Sequence, residues 1–234
     1  MSGTPTVGAA GARMKHVLDH GFVRIVDSTG NDLSIVRAAR VSYDADWPTG
    51  EDGGKDDRLI GYLMENHHTT PFEAVTFTFE VKAPLFVLRQ WHRHRTWSYN
   101  EVSARYSELP EEFYVPSVPD ITGQSTSNKQ MRTGDQHPNA ALIRRTMREV
   151  MEVAFTTYKA LIAEGCPREL ARCVLPCSTY SRMFATTNLH NLLHFLRLRL
   201  HPHAQKEVRV YAEAMLELVE PLVPCTVAAF RGTL

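Results

Sequence analysis

The stretch VTFTFEVKAP, residues 75–84, decides the fold of this chain, because its side chains alternate between apolar and polar. A period of two places successive side chains on opposite faces of a β-strand. One face would carry the apolar side chains of Val75, Phe77, Phe79 and Val81. The other face would carry Thr76, Thr78, Glu80 and Lys82. The pattern predicts a strand whose apolar face packs against a hydrophobic core.

The residues after Pro84 favour a helix that extends to about residue 95. Proline is well tolerated in the first turn of a helix, because its missing N–H has no partner there in any case. In such a helix Gln90, Arg93 and His94 would be three or four residues apart and would share one side. The strand is therefore expected to lead directly into a polar helical face.

Outward from this centre, strand signals come early in the chain and helical signals come later. On the N-terminal side we predict a hairpin over residues 17–26, a helix over 33–41 capped near Asn31 or Asp32, a loop over 47–56 and a helix over 59–64. On the C-terminal side we predict a surface loop over 116–138, helices over 139–164, 169–174, 189–200 and 204–219, and a short helix before Phe230. This order predicts an α+β fold, a single domain in which an antiparallel sheet is packed with helices and the C-terminal half is helical.

The two ends of the predicted fold differ in character. Residues 1–13 are rich in Gly, Ala, Ser and Thr and have no apolar period, so we expect a disordered tail there. The domain would then span residues 14–234.

The composition is that of an ordinary folded protein, with 43% hydrophobic and 22% charged residues. The formal net charge is zero, from 26 basic and 26 acidic side chains, so we expect no nucleic acid polymer as a partner. No apolar run approaches the roughly 20 residues of a membrane span, so we expect no membrane partner. The four cysteines form no C-x-x-C pair, and the expected location is the reducing cytoplasm.

The most polar segment is RQWHRHRTWSYNEVSARY, residues 89–106, which contains four arginines and one glutamate. Guanidinium groups so close together repel one another unless anions share the space, and their donor forks suit phosphate oxygens. A phosphorylated ligand is therefore expected here. The segment also allows a structural interpretation, because Ser98 and Glu101 fit the S-x-x-E capping box of a helix start, and Trp91 and Trp97 are expected in the core.

Residues 93–106 match the pattern RHRxxSxNExSxRY at every specified position. In this the chain resembles the flavin-dependent thymidylate synthases, whose motif this is. Further segments resemble that family in the same order along the chain, and they are residues 31–33, 40–42, 68–73 and 174–176, Arg199, and residues 203–205. The resemblance extends from about residue 15 to 219 and leaves out the polar loop over 116–138.

The resemblance implies a role for individual residues. Those implied to bind dUMP are Gln90, Arg93, Glu101, Ser103, Ala104, Arg105, Arg172 and Arg199. Those implied to bind FAD are Ser42, His68, Thr70, Arg93, His94, Arg95, Glu101, Asn188, His190, His194 and His203. Arg199 would be the catalytic residue, as a cation that stabilises negative charge developing on the uracil ring.

The resemblance also implies the reaction, in which dUMP is reductively methylated to dTMP. NADPH would reduce FAD, and 5,10-methylenetetrahydrofolate would donate the carbon, so that the cofactor supplies the difficult chemistry. Neither glycine-rich nucleotide motif, G-x-G-x-x-G or G-x-x-x-x-G-K-[ST], is present, so side chains would have to hold the phosphates. The resemblance also implies a homotetramer with shared active sites. The predicted helix over 188–200 agrees with it, because a helix with two functional faces would border two sites, one of them shared with a neighbouring subunit. That helix would place His190, His194 and Arg197 on one flank and Asn188 and Arg199 on the other.

Other interpretations compete with this one. Cys177 follows Pro176, and a Pro-Cys pair also surrounds the nucleophile of the flavin-free thymidylate synthases, although we expect Cys177 to be structural. Ser103 as a nucleophile would need a base within hydrogen-bond reach. His190 and His194 have the i, i+4 spacing of a zinc site, but no H-E-x-x-H accompanies them and we expect no metal. An RNA-binding module would use the arginines on phosphates and stack bases on Trp91, Trp97 and Tyr99.

Overall fold

The computed structural model describes residues 14–43 and 54–234. The predicted tail over residues 1–13 and most of the predicted loop over 47–56 lie outside the described residues. In the described part of the chain the strands are β1 Met14–Val17, β2 Gly21–Thr29, β3 Thr76–Pro84, β4 Ser98–Glu101, β5 Thr122–Gln124, β6 Arg132–Gln136 and β7 Tyr180–Asn188. The α-helices are α1 Asp32–Arg40, α2 Lys55–Glu65, α3 Leu85–Trp91, α4 Ala140–Ala163, α5 Arg168–Ala171, α6 Leu189–Arg199, α7 Lys206–Val219 and α8 Pro224–Arg231.

Strand β3 lies at the centre of an antiparallel sheet that, in the described residues, has five strands in the order β1-β2-β3-β7-β4. Phe79 of β3 pairs with Ile25 on one side and with Ala185 on the other. The predicted apolar face is confirmed, because Val75, Phe77, Phe79 and Val81 are each at most 1% exposed. Burial of one such phenylalanine contributes about 1.5–3 kcal/mol to folding. The α+β prediction is confirmed as well.

The hairpin β1–β2 confirms the first predicted element, and Gly21 explains its tight fit against α7. A Cβ atom at this position would lie 2.1 Å from the hydroxyl oxygen of Tyr211, so only glycine can stand there without displacing a neighbour. The Tyr211 hydroxyl donates to the carbonyl oxygen of Lys82 at 2.7 Å. One side chain of α7 thus ties the hairpin to the central strand.

The sequence-based prediction of helices alone after residue 139 is wrong at β7. This strand pairs with β3 along its whole length and with β4 on its other edge. Its period of two is hidden in the sequence, because Phe184 faces solvent while the polar Ser181 and Thr187 are buried. Burial alternates along the strand although hydrophobicity does not.

Three neighbouring predictions also need correction. Ser98 and Glu101 belong to a strand rather than to a helix start, and they pair with Thr186 and Met183 of β7. The predicted loop over 116–138 contains the hairpin β5–β6. Helix α3 ends at Trp91 rather than near residue 95, so Gln90, Arg93 and His94 do not share one helical face.

Helices α6 and α7 and the C-terminal end of α3 pack around an aromatic cluster. The rings of Trp91 and Phe195 are stacked with centroids 4.8 Å apart, and Trp97 and Tyr211 meet Trp91 edge-on. Trp91 is fully buried and Trp97 is 6% exposed, which confirms both as core residues.

The N-terminal end of α1 is also as predicted, because the Asn31 side chain caps it by accepting from the Ser34 amide.

Helix α4 contributes little to this core. Phe155 and Tyr158 are buried in a separate small cluster with Ala171. Four apolar side chains of α4 are instead exposed, by 39–66%, and these are Leu142, Met147, Val150 and Val153. No helix among the described residues is both long enough and apolar enough to cross a membrane.

Candidate active site

The turn over residues 92–97, between α3 and β4, carries Arg93, His94 and Arg95. It is fixed by hydrogen bonds from the Tyr99 side chain. The Tyr99 hydroxyl lies 2.8 Å from the carbonyl oxygen of His94 and 3.1 Å from that of Trp91. Burial raises the pKa of Tyr99 far above its usual value, so the hydroxyl remains a donor. The turn is thereby held in one conformation although it belongs to no helix.

His94 points into the protein and meets Arg199, the last residue of α6. The Arg199 Nε donates to His94 Nε2 at 3.0 Å. Burial, together with the charges of Arg199 and His194, lowers the pKa of His94 to about 4. The ring is therefore neutral at pH 7, and because Nε2 accepts a hydrogen bond, its proton lies on Nδ1.

Gln90 holds the other end of the Arg199 guanidinium. Arg199 Nη2 donates to the Gln90 carbonyl oxygen at 3.0 Å, and Nη1 approaches Gln90 Oε1 at 3.4 Å. Burial lowers the pKa of Arg199, but an arginine remains protonated in proteins. All three acceptors are neutral, and within residues 14–43 and 54–234 Arg199 forms no ion pair with a carboxylate. Its positive charge is oriented but not compensated.

A second group of residues implied to bind dUMP lies where β4 ends. Glu101 accepts from the Ser181 hydroxyl at 2.6 Å, and the Arg105 amide donates to the Ser103 hydroxyl oxygen at 3.3 Å. Arg105 pairs with the Glu169 carboxylate at 3.3 Å, and Arg172 Nε donates to the Glu169 carbonyl oxygen at the same distance. Ala104 is buried below them. In the described part of the chain, no hydrogen bond or ion pair joins this group to Arg199.

Arg93 and Arg95 have no acidic partner in the part of the chain that the structure describes. Both side chains are exposed beside the buried His94. Free guanidinium groups next to a fixed backbone turn suit the phosphate oxygens of a nucleotide. The chemistry of this donor set therefore fits a phosphorylated cofactor such as FAD.

Two cavities lie beside the C-terminal part of α2, and one of them is also lined by helix α6. One, of about 250 Å³, is lined by the predicted flank of α6, namely His190, His194 and Arg197, together with His67 and Thr69. The other, of about 310 Å³, is lined by Ser42, His68 and Thr70 with Arg40 and Tyr62. The His194 ring lies 6.1 Å from that of His94, so the first cavity borders the Arg199 cluster.

Two residues implied to bind FAD are placed differently from the rest. Asn188 is the N-cap of α6, where its Oδ1 accepts from the Asn191 amide at 2.9 Å. His203 contacts His201 and lines a separate cavity of about 450 Å³ with Arg132, Lys206 and Arg209. The structure therefore does not bring His68 and His203 into one cavity within a single subunit.

The structure gives little support to the competing sites. Cys177 is exposed and its carbonyl oxygen accepts from the Phe86 amide. The hydroxyl oxygen of Ser103 accepts from the Arg105 amide, and no base contacts it among the described residues. His190 and His194 are joined by no third ligand, because no group of three His, Cys, Asp or Glu side chains that could hold a metal ion is found in the described residues.

Gln205 is a site residue that the sequence reasoning missed. Its side-chain oxygen accepts from Gln90 Nε2. It lies in the segment 203–205, which resembles the family, but the resemblance implies a role for His203 and none for Gln205. The hydrogen bond to Gln90 is made across the fold, between α3 and the start of α7, and no sequence spacing reveals it.

Comparisons with known proteins give one consistent result. Residues 24–225 match the family model described as Thymidylate synthase complementing protein. A flavin-dependent thymidylate synthase from Thermus thermophilus is 50% identical over 215 residues, which cover 92% of this chain and 77% of the relative. One from Treponema denticola is 48% identical over 217 residues, which cover 92% of this chain and 80% of the relative.

A solved structure agrees with the sequence relatives. The UMP/dUMP methylase PolB from Streptomyces cacaoi, bound with 5-Br dUMP, superimposes with a TM-score of 0.83 and 39% sequence identity, and the match covers 93% of this chain and 97% of that one. The family model and both relatives span nearly all of the described residues. The chain therefore belongs to the flavin-dependent thymidylate synthases.

Proposed function

We propose that this chain methylates dUMP to dTMP, with Arg199 as the catalytic residue. The observation that carries the proposal is the uncompensated charge of Arg199, which is held in place by neutral acceptors only. A preorganised cation of this kind stabilises an anion that develops during a reaction without needing to move first. Arg199 would stabilise negative charge that develops at N3 of the uracil ring of dUMP.

The remaining residues of the two clusters would bind the nucleotide. Gln90 presents a carboxamide beside Arg199, which suits the edge of the base. Arg105 and Arg172 converge on Glu169 and can exchange this contact for phosphate oxygens, together with Arg93. Glu101, Ser103 and Ala104 lie next to them at the end of β4 and would contact the sugar and phosphate.

FAD would be held by the residues around the two cavities beside α2. Arg93 and Arg95, which flank the buried His94, would face its phosphates, and the side chains of Ser42, His68, Thr70, His190 and His194 would line its path. His94 belongs to the same proposed set. Glu101, Asn188 and His203 complete the proposed set. When bound, FAD would supply the hydride chemistry that no side chain provides.

We further propose NADPH as the reductant and 5,10-methylenetetrahydrofolate as the carbon donor. Both are implied by the family resemblance. The role of the chain itself would be to bind these molecules, exclude water and present the cation of Arg199.

The assembly would be a homotetramer whose active sites are shared between subunits. Two observations support this. No hydrogen bond or ion pair among the described residues joins the Arg105 and Arg172 group to the Arg199 group, so a partner could supply one of them to each site. The exposed apolar side chains of α4 also resemble an uncovered interface, because monomeric proteins seldom expose such a row.

The assembly is tested with Val153→Asp in α4, where Val153 is 66% exposed. A buried aspartate at an interface would be strongly unfavourable, so the variant should elute as a smaller species and lose most turnover. Ala141→Asp, at an exposed position of α4 away from this apolar face, is the matched control for an added charge on α4. A monomeric wild-type protein with full activity would contradict the proposal.

The reaction is tested by the visible absorption spectrum of the purified protein with added FAD. We expect a yellow complex that bleaches with NADPH, a spectral change on adding dUMP, and dTMP formation once methylenetetrahydrofolate is present. A colourless protein that refuses FAD and ignores dUMP would overturn the proposal.

A further inference from the structure

A directed chain of side-chain hydrogen bonds leads away from the Arg199 cluster. Arg199 donates to Gln90 Oε1, and Gln90 Nε2 donates to Gln205 Oε1. Gln205 Nε2 then donates to Glu207 Oε2 at 2.9 Å. In each carboxamide the oxygen accepts from the residue nearer to Arg199 and the nitrogen donates to the residue farther from it. The two amides therefore share one orientation.

Glu207 fixes that orientation because a carboxylate can only accept. Its side chain is almost completely buried, and it accepts from the Tyr114 hydroxyl at 3.1 Å as well as from Gln205. Burial works to raise the pKa of Glu207, but the hydrogen bonds and charge of Arg132 outweigh burial and leave the pKa below its usual value. An ionised Glu207 forces Gln205 to present its nitrogen, and Gln205 in turn forces Gln90 to do the same.

Arg132 belongs to strand β6 of the β5–β6 hairpin. It donates to both Glu207 oxygens, at 2.8 and 2.6 Å, and its Nη1 donates to the Asp120 carbonyl oxygen at 3.0 Å. Asp120 also pairs with Lys206, the residue before Glu207. The hairpin is thus fixed to the start of α7 at the point where the hydrogen-bond chain ends.

We propose that Glu207 and Arg132 are positioning residues for dUMP, because they set the amide orientation of Gln90 and so the acceptor that Gln90 offers to Arg199. The inference rests on the proposed function. It assigns a role to the segment 116–138, which the family resemblance leaves out. If Gln90 turned over, its NH₂ group would face the Arg199 guanidinium, and two donors would oppose each other.

The test is a double-mutant cycle between Glu207 and Gln90, read as the dissociation constant of dUMP for the FAD-loaded protein by titration calorimetry. Glu207→Gln should weaken dUMP binding about tenfold in the wild-type background. It should weaken binding less than about twofold in the Gln90→Ala background, because the residue through which it acts is gone. A purely structural role would give the same loss in both backgrounds.

Glu80→Gln is the matched control. Glu80 has a similarly buried side chain and is likewise paired with arginines, Arg24 and Arg182, but it makes no contact with the chain that leads to Gln90. Its substitution should lower stability, and any change in dUMP affinity should be equal in both backgrounds.

A second double-mutant cycle, between Arg132 and Gln90, uses Arg132→Ala. It tests the same inference if Glu207→Gln does not fold. Arg132→Ala should weaken dUMP binding about threefold, again only while Gln90 is present. Equal losses of dUMP affinity in both backgrounds, or no loss in either, would overturn the inference. The proposed function would still stand if the wild-type protein binds dUMP. A wild-type protein that does not bind dUMP would overturn both.

Discussion

The two arginine clusters of this protein are built in opposite ways. Arg199 lies at the end of a helix, partly buried, and is held by His94 and Gln90 within one subunit. Arg105 and Arg172 lie near the surface and meet only at Glu169, with the Arg105 and Glu169 side chains 57% and 52% exposed. The first cluster is complete without a ligand, whereas the second is held by contacts that a phosphate can replace.

We propose that this difference separates the catalytic residue from the residues that bind dUMP. A fixed cation in a partly buried site has already lost its rotational freedom and its water, so it acts on a transition state at no further cost. An exposed arginine must be ordered when the ligand arrives, and salt screens its charge. Substitutions in the two clusters should therefore affect different kinetic constants.

The largest effect is expected from Arg199→Ala. It should lower kcat by about 10²–10³-fold, because it removes a charge that acts on the transition state. Arg172→Ala should instead raise the KM for dUMP about tenfold and leave kcat within about threefold. Steady-state kinetics with varied dUMP measures both.

Arg231→Ala serves as the control for that comparison, because Arg231 pairs with the exposed Glu220 at the C-terminal end of the described chain. Its kinetics should match those of the wild type. The comparison between the clusters fails if Arg199→Ala changes only KM while Arg172→Ala changes only kcat.

The next effect is the contribution of His94 to the pH dependence of stability. The folded protein lowers the pKa of His94 from 6.5 to about 4, so below pH 6.5 the unfolded state binds the proton more readily. Stability from this residue is fully present above pH 6.5 and is lost as the pH falls towards 4, by about 3 kcal/mol in total. Chemical denaturation of FAD-free protein between pH 4 and 7.5 measures it.

His94→Asn should remove that part of the pH slope, whereas His16→Asn, on the exposed face of β1, should keep the wild-type slope. If the slope of the His94→Asn variant equals that of the wild type, the neutral, buried state of His94 is refuted.

The smallest effect is expected from Glu169→Gln in the exposed cluster. The Glu169 carboxylate competes with a phosphate for Arg105, so its neutralisation should lower the KM for dUMP about twofold. The gain should shrink as salt is added, because the competing pair is exposed. Steady-state kinetics at two ionic strengths measures the KM for dUMP, and Glu149→Gln on α4 is the control. An increase in KM for Glu169→Gln would contradict the idea that Glu169 competes with the phosphate.

The elements that the sequence predicts well are those whose hydrophobic pattern matches their burial. β3 is the example, with its alternating phenylalanines. The bounds of α4 also agree with the prediction within one residue, although four of its apolar side chains are exposed. β7 was missed because Phe184 is exposed and Thr187 is buried, which reverses the usual signal. Packing against neighbouring strands, rather than local propensity, decides such a strand.

The candidate site shows the same limit. The motif over residues 93–106 indicates which residue types are present, but it does not reveal that α3 ends at Trp91 and that a turn held by Tyr99 directs His94 inward. The link from Gln90 to Gln205 joins residues that are 115 positions apart. Contacts of this kind depend on the complete fold, so only the structure reveals them.

The most direct test of the account is the protonation state of His94, measured by nitrogen NMR of histidine-labelled protein with His94→Asn used to assign the signal. We expect a neutral ring with its proton on Nδ1 from pH 5 to 8, because Nε2 accepts from Arg199. A doubly protonated ring at pH 6, or a neutral ring with its proton on Nε2, would contradict the claim that Arg199 is held by neutral acceptors.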